Sequence, residues 1–237
     1  MKSYISKLND PYTNLAVEHW LFRTSPFANV LFMYRNSASV VIGRNQNPWK
    51  EVHFNSLQTQ SIPLVRRHSG GGTVWHDLGN TNYCAIMDRA DFKRETSVNM
   101  VNHALHQLDI PSQVNSRYDI EVGDCKVSGS AYKITNERSY HHGTMLIDSD
   151  LTNISKVLTK KSNLITGGGI DSVRAKVGIL RDYSFTIDHS SFCEAVVKQF
   201  HKLYGGSANE LITIDESFVN ETQAILDFRD ELVVNYI

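Results

Sequence analysis

The residues most able to do chemistry begin with Arg66-Arg67-His68-Ser69-Gly70-Gly71-Gly72-Thr73-Val74-Trp75-His76-Asp77-Leu78-Gly79-Asn80, where two cations run into three consecutive glycines. Successive glycines cost backbone entropy and add no packing, so a chain keeps them where it turns sharply or lies against a ligand. Exposed N–H groups in such a turn form an anion-binding concavity, and flanking arginines complement it. By itself the stretch reads equally as that cradle or as a tight hairpin beside a basic pair. Lys126 is the second feature, in Asp124-Cys125-Lys126-Val127-Ser128-Gly129-Ser130-Ala131. Small neighbours leave room around its ammonium, a compact point charge suited to a carboxylate or phosphate oxygen. Asp119, on the strand expected to pair with it, could hold a cation, a metal or a ribose hydroxyl. Cys125 invites a nucleophile reading. Next to Lys126 on a strand it should face the other way, as a buried structural thiol.

Several chemistries are excluded. Gly70-Gly71-Gly72-Thr73 lacks the Gly-Lys-Ser/Thr of a P-loop, and there is no His-Glu-x-x-His. Adjacent strand residues point to opposite faces, so His141-His142 cannot easily serve one metal; one is expected inward and one at the surface. Cys84, Cys125 and Cys193 are odd in number and widely spaced, which fits neither a disulfide framework nor a zinc site. Twenty-four basic against 25 acidic residues give no electrostatic case for nucleic acid or an anionic membrane. Hydrophobic residues at 41% and charged at 21% suit a soluble globular protein, and 237 residues fit one large domain or one domain with a small appendage. No apolar run is long enough to span a bilayer, and the first residues carry no secretory or transit pattern. Cytoplasm is therefore expected, or the mitochondrial matrix if a leader is missing.

The elements that must position these residues follow from periodicity. Helices are expected over 11–23, capped by Thr13 or Asn14, and over about 51–60, 97–108, 151–158 and 191–204. Strands are expected over 30–34, 39–43, 62–65, 81–87, 118–122, 126–132 and 141–147, the pair around Gly123-Asp124 forming a hairpin. Thr166-Gly167-Gly168-Gly169 opens a flexible, partly basic segment as far as Arg181, and from Gly205 onward the pattern weakens. Early hairpins with dispersed helices predict an α+β fold, a mixed, mostly antiparallel sheet covered by helices.

Six segments together resemble the lipoate–protein ligase A and lipoyltransferase family, within the fold group of biotin protein ligases and class II aminoacyl-tRNA synthetases. They are Asn14–Glu18, Val40–Trp49, Arg66–Asn80, Lys126–Ala131, His141–Thr144 and Ile170–Arg174, in the family's order and spacing. The resemblance implies that lipoate and ATP, with Mg²⁺, give lipoyl-AMP, and that the lipoyl group passes to a lysine of an acceptor domain. Those domains would belong to 2-oxoacid dehydrogenase complexes or the glycine cleavage H protein. It places Arg67, Gly72, Thr73, Val74 and Trp75 against the adenylate, and Lys126 at the activated carboxyl and α-phosphate as the catalytic residue. Asn80 and Asp119 would hold the phosphate end, Asp119 with the metal, while Leu15, Val17 and His76 border the lipoyl tail with His142 nearby.

Departures accompany the match. His19 stands where many relatives have an acidic residue, and Ala175 and Gly178 replace the usual serine and asparagine. Many relatives continue into a small C-terminal domain that assists activation, whereas 205–237 matches poorly. The catalytic domain is expected over 1–204, as a natural single-domain form, as one that needs a separate accessory protein as a partner, or as a shortened gene product. Three other functions stay open. They are a lipoyltransferase using preformed lipoyl-AMP, an amidotransferase of the same fold working through Cys125, and a non-catalytic lipoyl-adenylate binder.

Overall fold

The computed structural model describes residues 1–158, 168–173, 175–206 and 211–234. In chain order the elements are β1 (Lys2–Ser6), α1 (Pro11–Thr24), β2 (Val30–Tyr34), β3 (Ser39–Ile42), α2 (Pro48–Glu51), α3 (Phe54–Thr59), β4 (Leu64–Arg66) and β5 (Val74–His76). Then come β6 (Asn80–Asp88), α4 (Arg94–His106), β7 (Ser112–Val114), β8 (Ile120–Val122), β9 (Cys125–Ser128), β10 (Ser130–Ile134), β11 (Arg138–Leu146) and α5 (Leu151–Val157). A single 3₁₀ turn at Leu180–Asp182 precedes α6 (His189–Tyr204), β12 (Leu211–Ile214), α7 (Glu216–Asn220) and α8 (Gln223–Val234).

The main sheet has the order β10-β11-β6-β2-β1-β12. The β10/β11, β11/β6 and β2/β6 pairs are antiparallel, while β1 pairs parallel with β2 and with β12. Two three-stranded sheets, β4-β3-β5 and β7-β8-β9, complete the α+β architecture, in which antiparallel pairs predominate. Helices cover both faces of the main sheet. Tyr83, Ala85 and Met87 of β6 pack with the apolar faces of α4 and α6, whereas Cys84 and Ile86 pack with α1 and α8. Burial on both faces explains why β2, Val-Leu-Phe-Met-Tyr, is apolar at every position. No described helix is long and apolar enough to cross a membrane.

Several expectations are revised. The cap of α1 is Asp10, whose Oδ1 accepts from Thr13 N and Thr13 Oγ1 at 2.7 Å. Asn14 is instead fully buried and ties the helix to Leu8 O, Arg35 O and Asn36 Oδ1. The helix expected over 51–60 is two short ones, Pro48–Glu51 opening on an Asn47 cap and Phe54–Thr59. The run 126–132 is not one strand: β9 ends and β10 begins at Gly129, where the chain passes from the β7-β8-β9 sheet to the main one. Both His141 and His142 are buried, because the sheet has no solvent face there. β1 and β7 were not legible, and neither were the elements after Gly205. Of these, β12 extends the main sheet and α8 packs on α1. Thr166, Gly167 and Arg174 lie outside the described residues.

Candidate active site

The glycine stretch is not a hairpin turn. β4 and β5 do not pair with each other; they flank β3 on its two sides, so residues 67–73 cross over the end of β3. At the crossing a Cβ on Gly43 would lie 2.1 Å from Gly71 O, and Gly71 itself has φ 88°. Only glycine fits both requirements, the close backbone approach and the left-handed conformation.

Arg67 shapes this loop from behind. It is buried, and its guanidinium donates from Nε to Ser69 Oγ and Gly70 O, from Nη1 to Val41 O, and from Nη2 to Gly70 O and Gly72 O, the last two at 2.7 Å. Burial lowers its pKa to about 10, so it remains charged at neutral pH. The five-donor fork of an arginine suits such a row of carbonyls. Arg66 donates in the same way to Gly43 O, Arg44 O and Gln46 O.

Facing the loop is a cavity of about 190 Å³. Gly72, Thr73 and Val74 form one wall, and Asp119, Lys126 and Ser130 stand on its polar side. Lys126 Nζ lies 3.0 Å from Asp119 Oδ1. The lysine is held from both backbone sides, pairing with Glu121 in β8 and exchanging bonds with Lys176 O (2.8 Å) and Gly178 N (3.0 Å). Asp119 is positioned by Asn115, whose Oδ1 accepts from Asp119 N at 3.0 Å. None of the three cysteines lines the cavity. Cys125 points away from it as strand alternation requires, although it is half-buried rather than fully enclosed.

Leu15, Tyr34 and Val41 add apolar surface to the same cavity, which two buried histidines also line. His76 Nδ1 is 2.9 Å from Asn36 Nδ2, which must donate; the ring therefore carries its proton on Nε2. Burial and the nearby Arg67 lower its pKa to about 3, so it is neutral. His142 bridges Glu18, with both carboxylate oxygens 3.0 Å from Nδ1, and Ser69 Oγ, 2.7 Å from Nε2. Burial pushes the Glu18 pKa up, but His142 and hydrogen bonds from His142, Tyr34 and Cys84 outweigh it, leaving the carboxyl below its usual range.

Segment 168–173 closes another side. Ser172 Oγ accepts from Thr73 N (2.9 Å) and Gln46 Nε2 (3.0 Å) and donates to Glu51 Oε2 (2.5 Å). Ser172 and Val173 thereby join the cavity wall.

Of the residues singled out in the sequence, Arg67, Gly72, Thr73, Val74, Asp119, Lys126, Leu15, His76 and His142 line one cavity. Three do not. Trp75 alternates away from Val74 and His76 on β5 and packs with Val40 and Ile42, its Nε1 donating to Asp77 Oδ2 at 3.0 Å. Val17 is two positions from Leu15, and on a helix that turns it into the α1–sheet core. Asn80 is fully buried behind Asn82, to whose Oδ1 it donates at 3.1 Å; Asn82, two residues on and on the same strand face, is the one at the cavity. Sequence reasoning also missed Tyr34, Arg117 and Ser172. Ser172 lay in the Ile170–Arg174 segment of the resemblance without being singled out, and Asn82 carried a signal in the strand period of two.

The family model described as the lipoyl protein ligase A/B catalytic domain matches residues 10–201. Lipoate-protein ligase A of Psychrobacter cryohalolentis is 39% identical over 200 residues, covering 84% of this chain and 59% of that protein. Lipoate-protein ligase A of Bdellovibrio bacteriovorus is 38% identical over 221 residues, covering 91% and 65%. The chain thus spans less than two thirds of the length of either relative. Among solved structures, that of P. falciparum LipL1 in complex with lipoate has a TM-score of 0.85 at 26% identity, covering 98% of this chain and 71% of that one.

Proposed function

The chain belongs to the lipoyl protein ligase A/B catalytic-domain family, and from that premise we propose that it activates lipoate with ATP to lipoyl-AMP and transfers the lipoyl group to a lysine of an acceptor domain. The observation that carries this reading is that the Lys126–Asp119 pair lines one cavity with Gly72–Val74 and with the apolar Leu15, Tyr34 and Val41, and that no cysteine lines it. Attack of a carboxylate on an α-phosphate needs positioning and charge neutralisation, and no protein nucleophile. Lys126 Nζ would sit between the two anions, reducing their repulsion and stabilising the charge that develops as pyrophosphate leaves. In the second step the acceptor lysine attacks the acyl carbon and AMP departs, carrying the bonding electrons on its phosphate oxygen.

The acyl tail would lie toward Leu15, Tyr34 and Val41, with the neutral His76 and the Glu18–His142 pair at its border. A Mg²⁺ ion in a nucleotide site rests on one or two carboxylates with substrate phosphates and water. Asp119 is the acidic residue among the described cavity-lining ones, and its Oδ1 is taken by Lys126, leaving Oδ2 as the oxygen that fits such an ion. Bound there, the metal would supply charge neutralisation on the phosphates. The acceptors proposed are lipoyl domains of 2-oxoacid dehydrogenase complexes and the glycine cleavage H protein.

The test supplies the purified chain with an acceptor domain and either ATP, Mg²⁺ and lipoate or preformed lipoyl-AMP, reading pyrophosphate release and acceptor mass. Lipoylation from both substrate sets is expected. Lipoylation from lipoyl-AMP alone would instead make the chain a transferase, and none from either would sink the enzymatic reading.

A further inference from the structure

Three cations line the cavity among the described residues: Arg67, Arg117 and Lys126. Two are already engaged. Arg67 gives its donors to Ser69 and the backbone carbonyls of the β3 crossing and the glycine loop, and Lys126 is in its ion pair with Asp119. Arg117 differs. Its side chain is exposed at the rim and has no ion pair among the described residues.

The turn that presents Arg117 is built for a fixed geometry. Asn115 Oδ1 accepts from Arg117 N at 2.9 Å and from Asp119 N at 3.0 Å, while Asn115 Nδ2 donates to Glu121 Oε1 at 2.6 Å. Between them Tyr118 has φ 62°, a left-handed conformation uncommon for an aromatic residue, and its carbonyl accepts from Ser130 Oγ at 2.6 Å. Such strain persists where surrounding contacts impose it, and it clusters at functional sites. One turn therefore fixes the backbone of both Asp119 in the wall and Arg117 at the rim.

We propose that Arg117 binds the β- and γ-phosphates of the nucleotide, the part that leaves as pyrophosphate. This rests on the nucleotide-using function above. The α-phosphate falls to Lys126, and a triphosphate brings more negative charge than one already-paired lysine neutralises. An arginine fork at the rim meets phosphate oxygens bidentately. AMP lacks those oxygens, so Arg117 would distinguish ATP from AMP.

The test is calorimetric titration of ATP and of AMP into the wild-type chain, Arg117→Gln and Arg117→Lys, with melting temperatures measured alongside. Arg117→Gln should weaken ATP binding by about 10- to 100-fold, the range for a charge-assisted hydrogen-bonding group. AMP binding and the melting temperature should stay at wild-type values, and Arg117→Lys should recover part of the loss. Wild-type ATP affinity in Arg117→Gln, or an equal loss for ATP and AMP, would overturn the assignment. A wild-type chain that binds neither nucleotide would instead fail the proposed function itself, and this assignment with it.

Discussion

A Cβ placed on Gly129 would stand 3.1 Å from both Cε and Nζ of Lys126. The lysine keeps its seat beside Asp119 because nothing projects from that position. Gly129→Ala is therefore expected to displace the ammonium while leaving the fold in place. Misplacing a reacting group by about 1 Å can cost on the order of 10²-fold in rate. The loss should appear in pyrophosphate release, with only a small change in melting temperature; an alanine variant as active as wild type would show that the seat tolerates a methyl group.

Removing the ammonium itself tests its role more directly. Lys126→Ala should lower adenylation by about 10²–10³-fold, the usual effect of deleting one preorganised electrostatic contact. The readout is lipoate-dependent pyrophosphate release under saturating substrates. Near-wild-type turnover would move the catalytic role elsewhere.

Cys125 offers the converse control. It is half-buried and lies off the cavity wall, although its neighbour Lys126 is on it. Cys125→Ser should retain acyl transfer to within about 2-fold. Loss of transfer together with a trapped thioester in the wild type would restore the amidotransferase reading.

Two fully buried histidines make the fold acid-sensitive. Burial, with a smaller contribution from neighbouring charge, lowers the pKa of both His76 and His141 to about 3. In the unfolded chain each takes a proton near the ordinary value of about 6.5. As pH falls below that value the unfolded state binds protons that the folded state refuses, so stability declines until the folded pKa is reached. Each group contributes a slope of about 1.4 kcal/mol per pH unit across that window. Denaturant titrations of His141→Gln between pH 6.5 and 4 should show a shallower decline than wild type. Parallel slopes would mean that His141 does not stay neutral in the folded chain.

How much of this was legible before folding depended on how local the determinant was. Helix α1, strands β2 and β3, the β8–β9 hairpin and helix α6 announce themselves through periods and turn residues within a few positions. The glycine stretch and Lys126 were legible for the same reason: three glycines in a row and a lysine among small residues are local anomalies. β1 and β12 were not, because their five and four residues gain strand character only by parallel pairing with distant segments, β1 with β2 and β12, and β12 with β1. The single run 126–132 concealed a change of sheet at Gly129, since one glycine in a strand pattern does not say on which side the next partner lies.

The sequence by itself determined which chemical groups this protein carries and the order of its motifs: the paired arginines, the triple glycine, Lys126 and Asp119, and the absence of any P-loop or zinc pattern. Tertiary structure alone decided which of them meet. It ran the glycine stretch across the end of β3 instead of back along it, and turned the Arg67 guanidinium onto the loop's own carbonyls. It put Asn82 at the cavity in place of Asn80, and left Arg117 at the rim without an ion pair among the described residues. The reason is geometric. Residue type and spacing fix the period of an element, whereas the face it shows to a cavity depends on which distant strand or helix covers the other one.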